Sequence, residues 1–261
     1  MKYGFIGCGN MGGAIARALS KATKDIMLSD PSEAAAVLQQ ELGCKCGTNA
    51  EVAEGCERIF LAVKPQILEA VITPIAPILA EKKPLIITMA AGIQIKKLEA
   101  MIGAHIPVIR IMPNTPTAVG KGVIAYCCNE LVEESVLTDW LSDMRFCGLV
   151  DPLEERLMDA ISALSGSGPA YLFVMLEALA DGAVTCGIPR DKAMAYAAMT
   201  MAGAAEMYLQ TRQHPGALKD AVCSPGGSTI AGLRQLEKQS FRGAVMDCVI
   251  ETYNKNKELG K

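Results

Sequence analysis

The alternation of apolar and polar positions changes character once, near residue 150. Before that point, short apolar runs alternate with stretches of helical spacing. Residues 3–6, 26–29, 58–63, 85–89 and 108–112 read as buried strands, and 123–127 as a last one. Between them, 11–19 carries apolar residues at helical spacing. Pro31 suits the first turn of a helix running to Leu42, with Gly43 as its stop. Asn49 reads as the N-cap of a short helix. Pro65 opens another, which carries Ile67, Leu68, Val71 and Ile72, and 131–146 shows helical spacing again. This order predicts a mainly parallel sheet with helices on both faces. Beyond Glu154 no strand is expected. Helical patterns cover 157–164, 170–186, 191–211, 217–223, 229–237 and 241–258. Gly166–Ser167–Gly168–Pro169 interrupts one long apolar pattern, where proline removes a hydrogen bond and bends the helix. The expected organisation is an α/β domain over 1–150 and an all-helical domain over 151–261.

The first thirteen residues sharpen that picture. After the 3–6 run come Gly7, Gly9 and Gly12 in the spacing G-x-G-x-x-G, and a helix pattern follows. Strand, glycine turn and helix together are what a dinucleotide pyrophosphate requires, so the first domain reads as Rossmann-type. Gly7 permits the tight turn, Gly9 offers no side chain to block the phosphates, and Gly12 lets the helix approach the strand. Three further segments of small residues fall at strand ends: Lys64–Pro65, 90–92 and 113–116. Ligands on such sheets bind at the carboxyl ends of strands.

Composition then removes alternatives. A net charge of −3 and few aromatics argue against nucleic acid or an anionic membrane as the main partner. No signal peptide is recognised, and no apolar run is read as reaching the roughly 18 residues a membrane span needs, so a cytoplasmic protein is expected. The ten cysteines form no C-x-x-C pair, and His105 and His214 sit near no cysteine cluster, so no metal site is expected. Most cysteines read as reduced thiols filling core gaps. The apolar faces around Met175, Met194, Met199, Met201 and Met207 exceed what one small helical layer hides. They suggest a dimer core, the alternative being an ordinary monomeric one.

Ser224–Pro225–Gly226–Gly227–Ser228–Thr229 precedes a helix, and its hydroxyls and N–H groups suit a small carboxylate, or form a simple capped turn. No Ser-His-Asp set and no H-E-x-x-H occurs. Lys64 reads as a backbone-positioned residue rather than a catalytic lysine. Such a scarcity of acid–base groups fits hydride transfer, in which the cofactor supplies the chemistry and the protein the orientation.

The chain resembles the pyrroline-5-carboxylate reductase family over nearly its whole length. The resemblance rests on GCGNMG at 7–12, AVKPQ at 62–66, AAG at 90–92, RIMPNTP at 110–116, SGSGPAY at 165–171 and HPGALKDAVCSPGGST at 214–229. The last three are far more specific than the glycine spacing. The resemblance implies reduction of L-1-pyrroline-5-carboxylate to L-proline with NADPH or NADH, and an interlocked homodimer able to assemble further. It implies that Cys8, Gly9, Asn10 and Met11 touch the pyrophosphate and Asn49 reaches the adenosine ribose. Ala62, Val63, Lys64, Pro65, Met89, Ala90 and Ala91 would line the cofactor. Ser224, Gly227, Ser228 and Thr229 would hold the substrate carboxylate and ring nitrogen, with Thr229 the candidate catalytic hydrogen-bond partner at that nitrogen. Glu155 corresponds to an acidic position near the substrate. Ala221 departs from the asparagine some relatives carry near the cofactor. A rival dehydrogenase of 3-hydroxy acids calls for a lysine on the long interdomain helix, and 165–186 contains none. A nucleotide-binding protein without activity is the second rival, and the intact substrate loop argues against it.

Asp30 ends the second strand, 18 residues after Gly12, where a carboxylate takes the ribose hydroxyls and favours NAD. Facing a 2′-phosphate at about 4 Å, it costs roughly 4 kcal/mol per charge pair at an effective dielectric of about 20. A third of that shifts affinity about tenfold. Ser29 and Ser32 flank it with hydroxyls of the kind through which relatives accept NADPH, and Asp30 has the alternative of turning outward as a helix cap. Both cofactors are expected to work, with NADH used well.

Overall fold

The structure is a computed structural model and describes residues 1–259. It contains two compact units: residues 1–169 with 252–259, and residues 170–251.

The first unit is built on β1 (Tyr3–Ile6), α1 (Asn10–Leu19), β2 (Ile26–Ser29), α2 (Ala34–Leu42), β3 (Lys45–Cys46), α3 (Asn49–Gly55) and β4 (Arg58–Leu61). It continues through α4 (Pro65–Ile72), α5 (Ala76–Lys82), β5 (Leu85–Thr88), α6 (Ile95–Ile102) and β6 (Val108–Met112). These strands form a parallel sheet in the order β3-β2-β1-β4-β5-β6. The order reverses between β1 and β4, which opens a crevice at their carboxyl ends. β1, β4, β5 and β6 are buried along their whole length, as a sheet covered on both faces requires, and this is why they read as unbroken apolar runs. Phe5 and Phe60 stack at 4.5 Å on one face; Ile6, Ile59, Leu61 and Ile86 fill the other.

Several local expectations change. The strand at 122–128 is not the last: β7 (Gly122–Cys128) returns antiparallel to β6, α7 (Glu134–Met144) follows, and β8 (Gly148–Pro152) joins β7 in parallel. β8 escapes the sequence pattern because it is a short edge strand with little burial. α2 begins three residues after Pro31. The Asp30 carboxylate accepts the Ser32 N–H at 2.9 Å, and this local turn delays the helix. Gly43 does end it, with φ of 67°. Thr48, not Asn49, caps α3: its hydroxyl accepts the Glu51 N–H while Glu51 accepts the Thr48 N–H, a reciprocal capping box.

After β8 the chain enters α8 (Met158–Ile161) and a π-helical turn, Ser162–Gly166, before α9 (Gly168–Thr185). The glycine-proline segment therefore deforms the helix instead of ending it. The stretch Glu155–Thr185 is, by length and composition alone, apolar enough to cross a membrane, a test that helices of soluble proteins also pass.

The second unit consists of most of α9 with α10 (Arg190–Thr211), α11 (Pro215–Ala221), α12 (Ser228–Lys238) and the start of α13 (Phe241–Leu259). Its buried apolar cluster is small: Ala180, Ala193 and Ala197, with Leu176, Ala183, Val184 and Met194 against them. Phe173 is 64% exposed, Met199 73% and Met246 61%.

Candidate active site

In the first unit, the turn after β1 sets the candidate dinucleotide site. Gly7 holds φ at 100°, and a Cβ there would lie 2.5 Å from the Ala62 carbonyl oxygen. A Cβ on Gly12 would stand 2.3 Å from the Gly7 carbonyl oxygen and 2.9 Å from the Ala62 Cβ. Both positions therefore admit only glycine, because β1, α1 and the segment after β4 meet there. Gly9 differs: nothing lies within 4 Å of where its Cβ would point. It N-caps α1 with no side-chain bond to the first turn, and Gly9 and Asn10 are exposed while Met11 is half-buried. An open glycine at an uncapped helix start fits a pyrophosphate, which takes N–H groups and the positive end of the helix dipole.

The segments after the neighbouring strands line the same sheet edge. The Ala62 N–H donates to the Ile6 carbonyl at 2.8 Å. Ala62, Val63 and Pro65 are half-buried, and exposed Lys64 N-caps α4 with Pro65 in its first turn. After β5, Met89 is half-buried, Ala90 buried and Ala91 exposed.

The end of β2 is a hydrogen-bonded cluster. The Cys8 N–H donates to Asp30 Oδ2 at 2.7 Å, so this N–H is committed within the protein while Gly9 and Asn10 face outward. The Ser32 hydroxyl and N–H both donate to Asp30 Oδ1. Burial pushes the Asp30 carboxyl up, but the bonds from Cys8 and Ser32 outweigh it and hold its pKa below the usual carboxylate value. The buried Ser29 hydroxyl donates to Asn49 Oδ1 at 2.7 Å. Because Thr48 caps α3, the Asn49 side chain is released to make this bond. The Cys8 thiol is pushed up to about 12, first by burial and then by the Asp30 charge, and stays protonated at neutral pH.

Glu155 lies in the first unit. Its Oε1 accepts the Ile95 N–H at 2.8 Å, at the start of α6, and the Arg110 Nη1 at 3.1 Å. Arg110 is buried in β6, so the bond ties the segment after β8 to the sheet. Sequence reading missed this partner, since only the fold brings positions 45 residues apart together. Asn114 works similarly: buried, it donates to the Ser165 carbonyl and accepts the Val123 N–H. Two of the specific motifs, RIMPNTP and SGSGPAY, are thus joined through one amide. Glu155 and Arg110 also border a cleft of about 430 Å³ with Gly92, Gln94, Asp159 and Lys257.

In the second unit, Gly227 is the N-cap of α12, again with no side-chain bond. Its N–H donates to the Ser224 carbonyl at 3.0 Å. A Cβ on Gly227 would meet Ser224 Oγ at 2.4 Å, so a larger residue there would turn the Ser224 hydroxyl away from its present position. Ser224, Ser228 and Thr229 are exposed. A cleft of about 520 Å³ beside the turn is bordered by Lys219, Gly226, Gly227, Ile230, Arg234 and Arg242. Glu237 also lines this cleft and pairs with Arg242, and Lys219 pairs with Asp220, so the open helix start and Arg234 are what favour an anionic ligand there.

The sheet order, the glycine cradle at its switch point and the carboxylate ending β2 define a Rossmann-type dinucleotide-binding fold followed by a helical region. Residues 2–92 match the family described as "NADP oxidoreductase coenzyme F420-dependent", and residues 155–259 match "Pyrroline-5-carboxylate reductase dimerisation". The chain is 40% identical to a pyrroline-5-carboxylate reductase of Escherichia coli, covering 100% of this chain and 98% of that protein. Among solved structures it is similar to the Plasmodium falciparum pyrroline carboxylate reductase with NADP bound, at 34% identity and a TM-score of 0.89, covering 100% of this chain and 98% of the other. It is similar too to the Coxiella burnetii pyrroline-5-carboxylate reductase, at 33% identity and a TM-score of 0.91, with the same coverage. The chain belongs to the pyrroline-5-carboxylate reductase family.

Proposed function

We propose that this protein reduces L-1-pyrroline-5-carboxylate to L-proline with NAD(P)H, the last step of proline synthesis. Full-length membership of the family carries the reading. The open cradle at Gly9 supports it from the structure. The bound nicotinamide supplies the hydride. The chain's own residues bind and orient: Gly9, Asn10 and Met11 hold the pyrophosphate, Ala62, Val63, Lys64, Pro65, Met89, Ala90 and Ala91 line the cofactor, and Asn49 and Asp30 meet the ribose. The N–H groups and hydroxyls of Ser224, Gly227, Ser228 and Thr229 hold the imine's carboxylate and nitrogen. Hydrogen bonding at that nitrogen stabilises its protonated form and makes the ring carbon electrophilic. Thr229 is the residue proposed there. Glu155 serves by anchoring, through Ile95 and Arg110, the segment that leads into α8.

The functional boundary is placed near residue 150, with dinucleotide binding before it and substrate binding and dimerisation after. The match of the dimerisation family over 155–259 supports that placement. The chain acts as a homodimer. Its exposed apolar helices support this, Glu155–Thr185 included, since only 11% of its most apolar window is buried within the chain. The ten unpaired cysteines support a reducing, cytoplasmic setting.

Loss of 340 nm absorbance from NADH and NADPH on adding pyrroline-5-carboxylate tests the reaction. Turnover is expected with at least one cofactor. A folded protein that binds dinucleotide and turns over neither would sink the reading. Thr229→Ala should lower kcat about a hundredfold, the low end of a general-acid contribution; full turnover with unchanged KM would remove Thr229 from the mechanism.

A further inference from the structure

We propose that the adenosine-ribose end of the cofactor site selects NADH over NADPH, with Asp30 as the selecting residue. The inference rests on the cofactor reading above and deepens it. The sequence leaves two readings open, because Ser29 and Ser32 flank Asp30 and hydroxyls are what a 2′-phosphate needs. The geometry decides between them. The Ser29 hydroxyl donates its hydrogen to Asn49 at 2.7 Å, and the Ser32 hydroxyl donates its hydrogen to Asp30 Oδ1 at 2.5 Å. Both flanking donors are committed inside the protein. The third candidate, Asn49, accepts the Ser29 bond on its oxygen and keeps its amide N–H donors, which are neutral and serve a ribose hydroxyl oxygen as readily as a phosphate.

Asp30 is shaped for the opposite ligand. Its three bonds come from neutral donors, the Cys8 N–H and the Ser32 N–H and hydroxyl, so no bonded cation cancels its charge. Oδ2 has accepted one bond and retains a lone pair for a ribose hydroxyl. A 2′-phosphate there has a negative charge in place of a hydroxyl donor and meets the carboxylate as a like charge. The bond from Cys8 also joins the N–H beside the glycine cradle to the carboxylate at the end of β2. The lowered pKa keeps Asp30 ionised throughout the neutral range.

The test is equilibrium titration with NADH and NADPH, followed by nicotinamide fluorescence with no imine present. NADH is expected to bind at least about tenfold tighter at low salt, a ratio that corresponds to about 1.4 kcal/mol. Raising ionic strength to about 1 M, where the screening length falls to roughly 3 Å, should shrink the ratio by improving NADPH relative to NADH. Asp30→Asn, which keeps an acceptor oxygen but removes the charge, should bring the two affinities within about threefold and abolish the salt effect on the ratio. NADPH binding as tightly as NADH to the unmodified protein would overturn the proposal, as would an unchanged ratio in Asp30→Asn. The salt titration of the unmodified protein decides the matter even if the variant fails to fold. Because the imine is absent, a failure to reduce pyrroline-5-carboxylate leaves this measurement intact, whereas binding of neither dinucleotide would overturn the selection and the cofactor reading together.

Discussion

The two compact units differ in how they satisfy their apolar residues. In the first, four central strands are buried along their whole length, and Phe5, Phe60, Ile15 and Trp140 are fully enclosed. In the second, the 22-residue α10 buries only Ala193 and Ala197, while Phe173, Met199 and Met246 stand mostly in solvent. The sheet closes its own core because helices cover both faces. The helices of the second unit leave large apolar side chains in solvent, and the proposed dimer would cover them. The first unit should therefore have a stability of its own, and the second a stability that depends on protein concentration.

The largest effect is expected from the first core. Phe60→Ala removes a ring stacked 4.5 Å from Phe5 and should cost about 3–5 kcal/mol. Denaturant unfolding would show it, with a midpoint shift that does not vary with protein concentration. A smaller and different effect is expected from Phe173→Asp, which replaces an exposed ring on α9. It should weaken self-association by about 2 kcal/mol, roughly thirtyfold, read by sedimentation as a shift toward monomer. A monomeric unmodified protein, or an unaffected dimer in the variant, would mean that the exposed apolar face of the second unit is not a self-association surface. Smallest is Thr48→Ala. It removes the side-chain cap of α3 and should cost about 1 kcal/mol, again without concentration dependence. That loss would show local terms in the first unit acting on a self-contained fold.

Much of the first unit was legible because parallel strands covered on both faces must be apolar throughout. The runs at 3–6, 26–29 and 108–112 coincide with β1, β2 and β6 to the residue. The glycine spacing was legible for an equally local reason. Gly7 and Gly12 sit where a Cβ has no room, and Gly9 where none should intrude. The α3 cap was misread although its signal was present, since T-N-A-E at 48–51 already spells a capping box. β8 was not legible, because an exposed edge strand carries little apolar pattern.

The sequence by itself determined the order of elements in the α/β half, the helical character of the rest, the glycine cradle and the family. Each of these depends on residues close together in the chain, through periodicity, turn chemistry or motif. The folded structure was needed to show that the Ser29 and Ser32 hydroxyls beside Asp30 are committed to Asn49 and to Asp30 itself, that Glu155 pairs with Arg110, and that Asn114 joins two motifs across 51 residues. Those are choices among hydrogen-bond partners brought together by the fold, and no local pattern encodes which donor meets which acceptor.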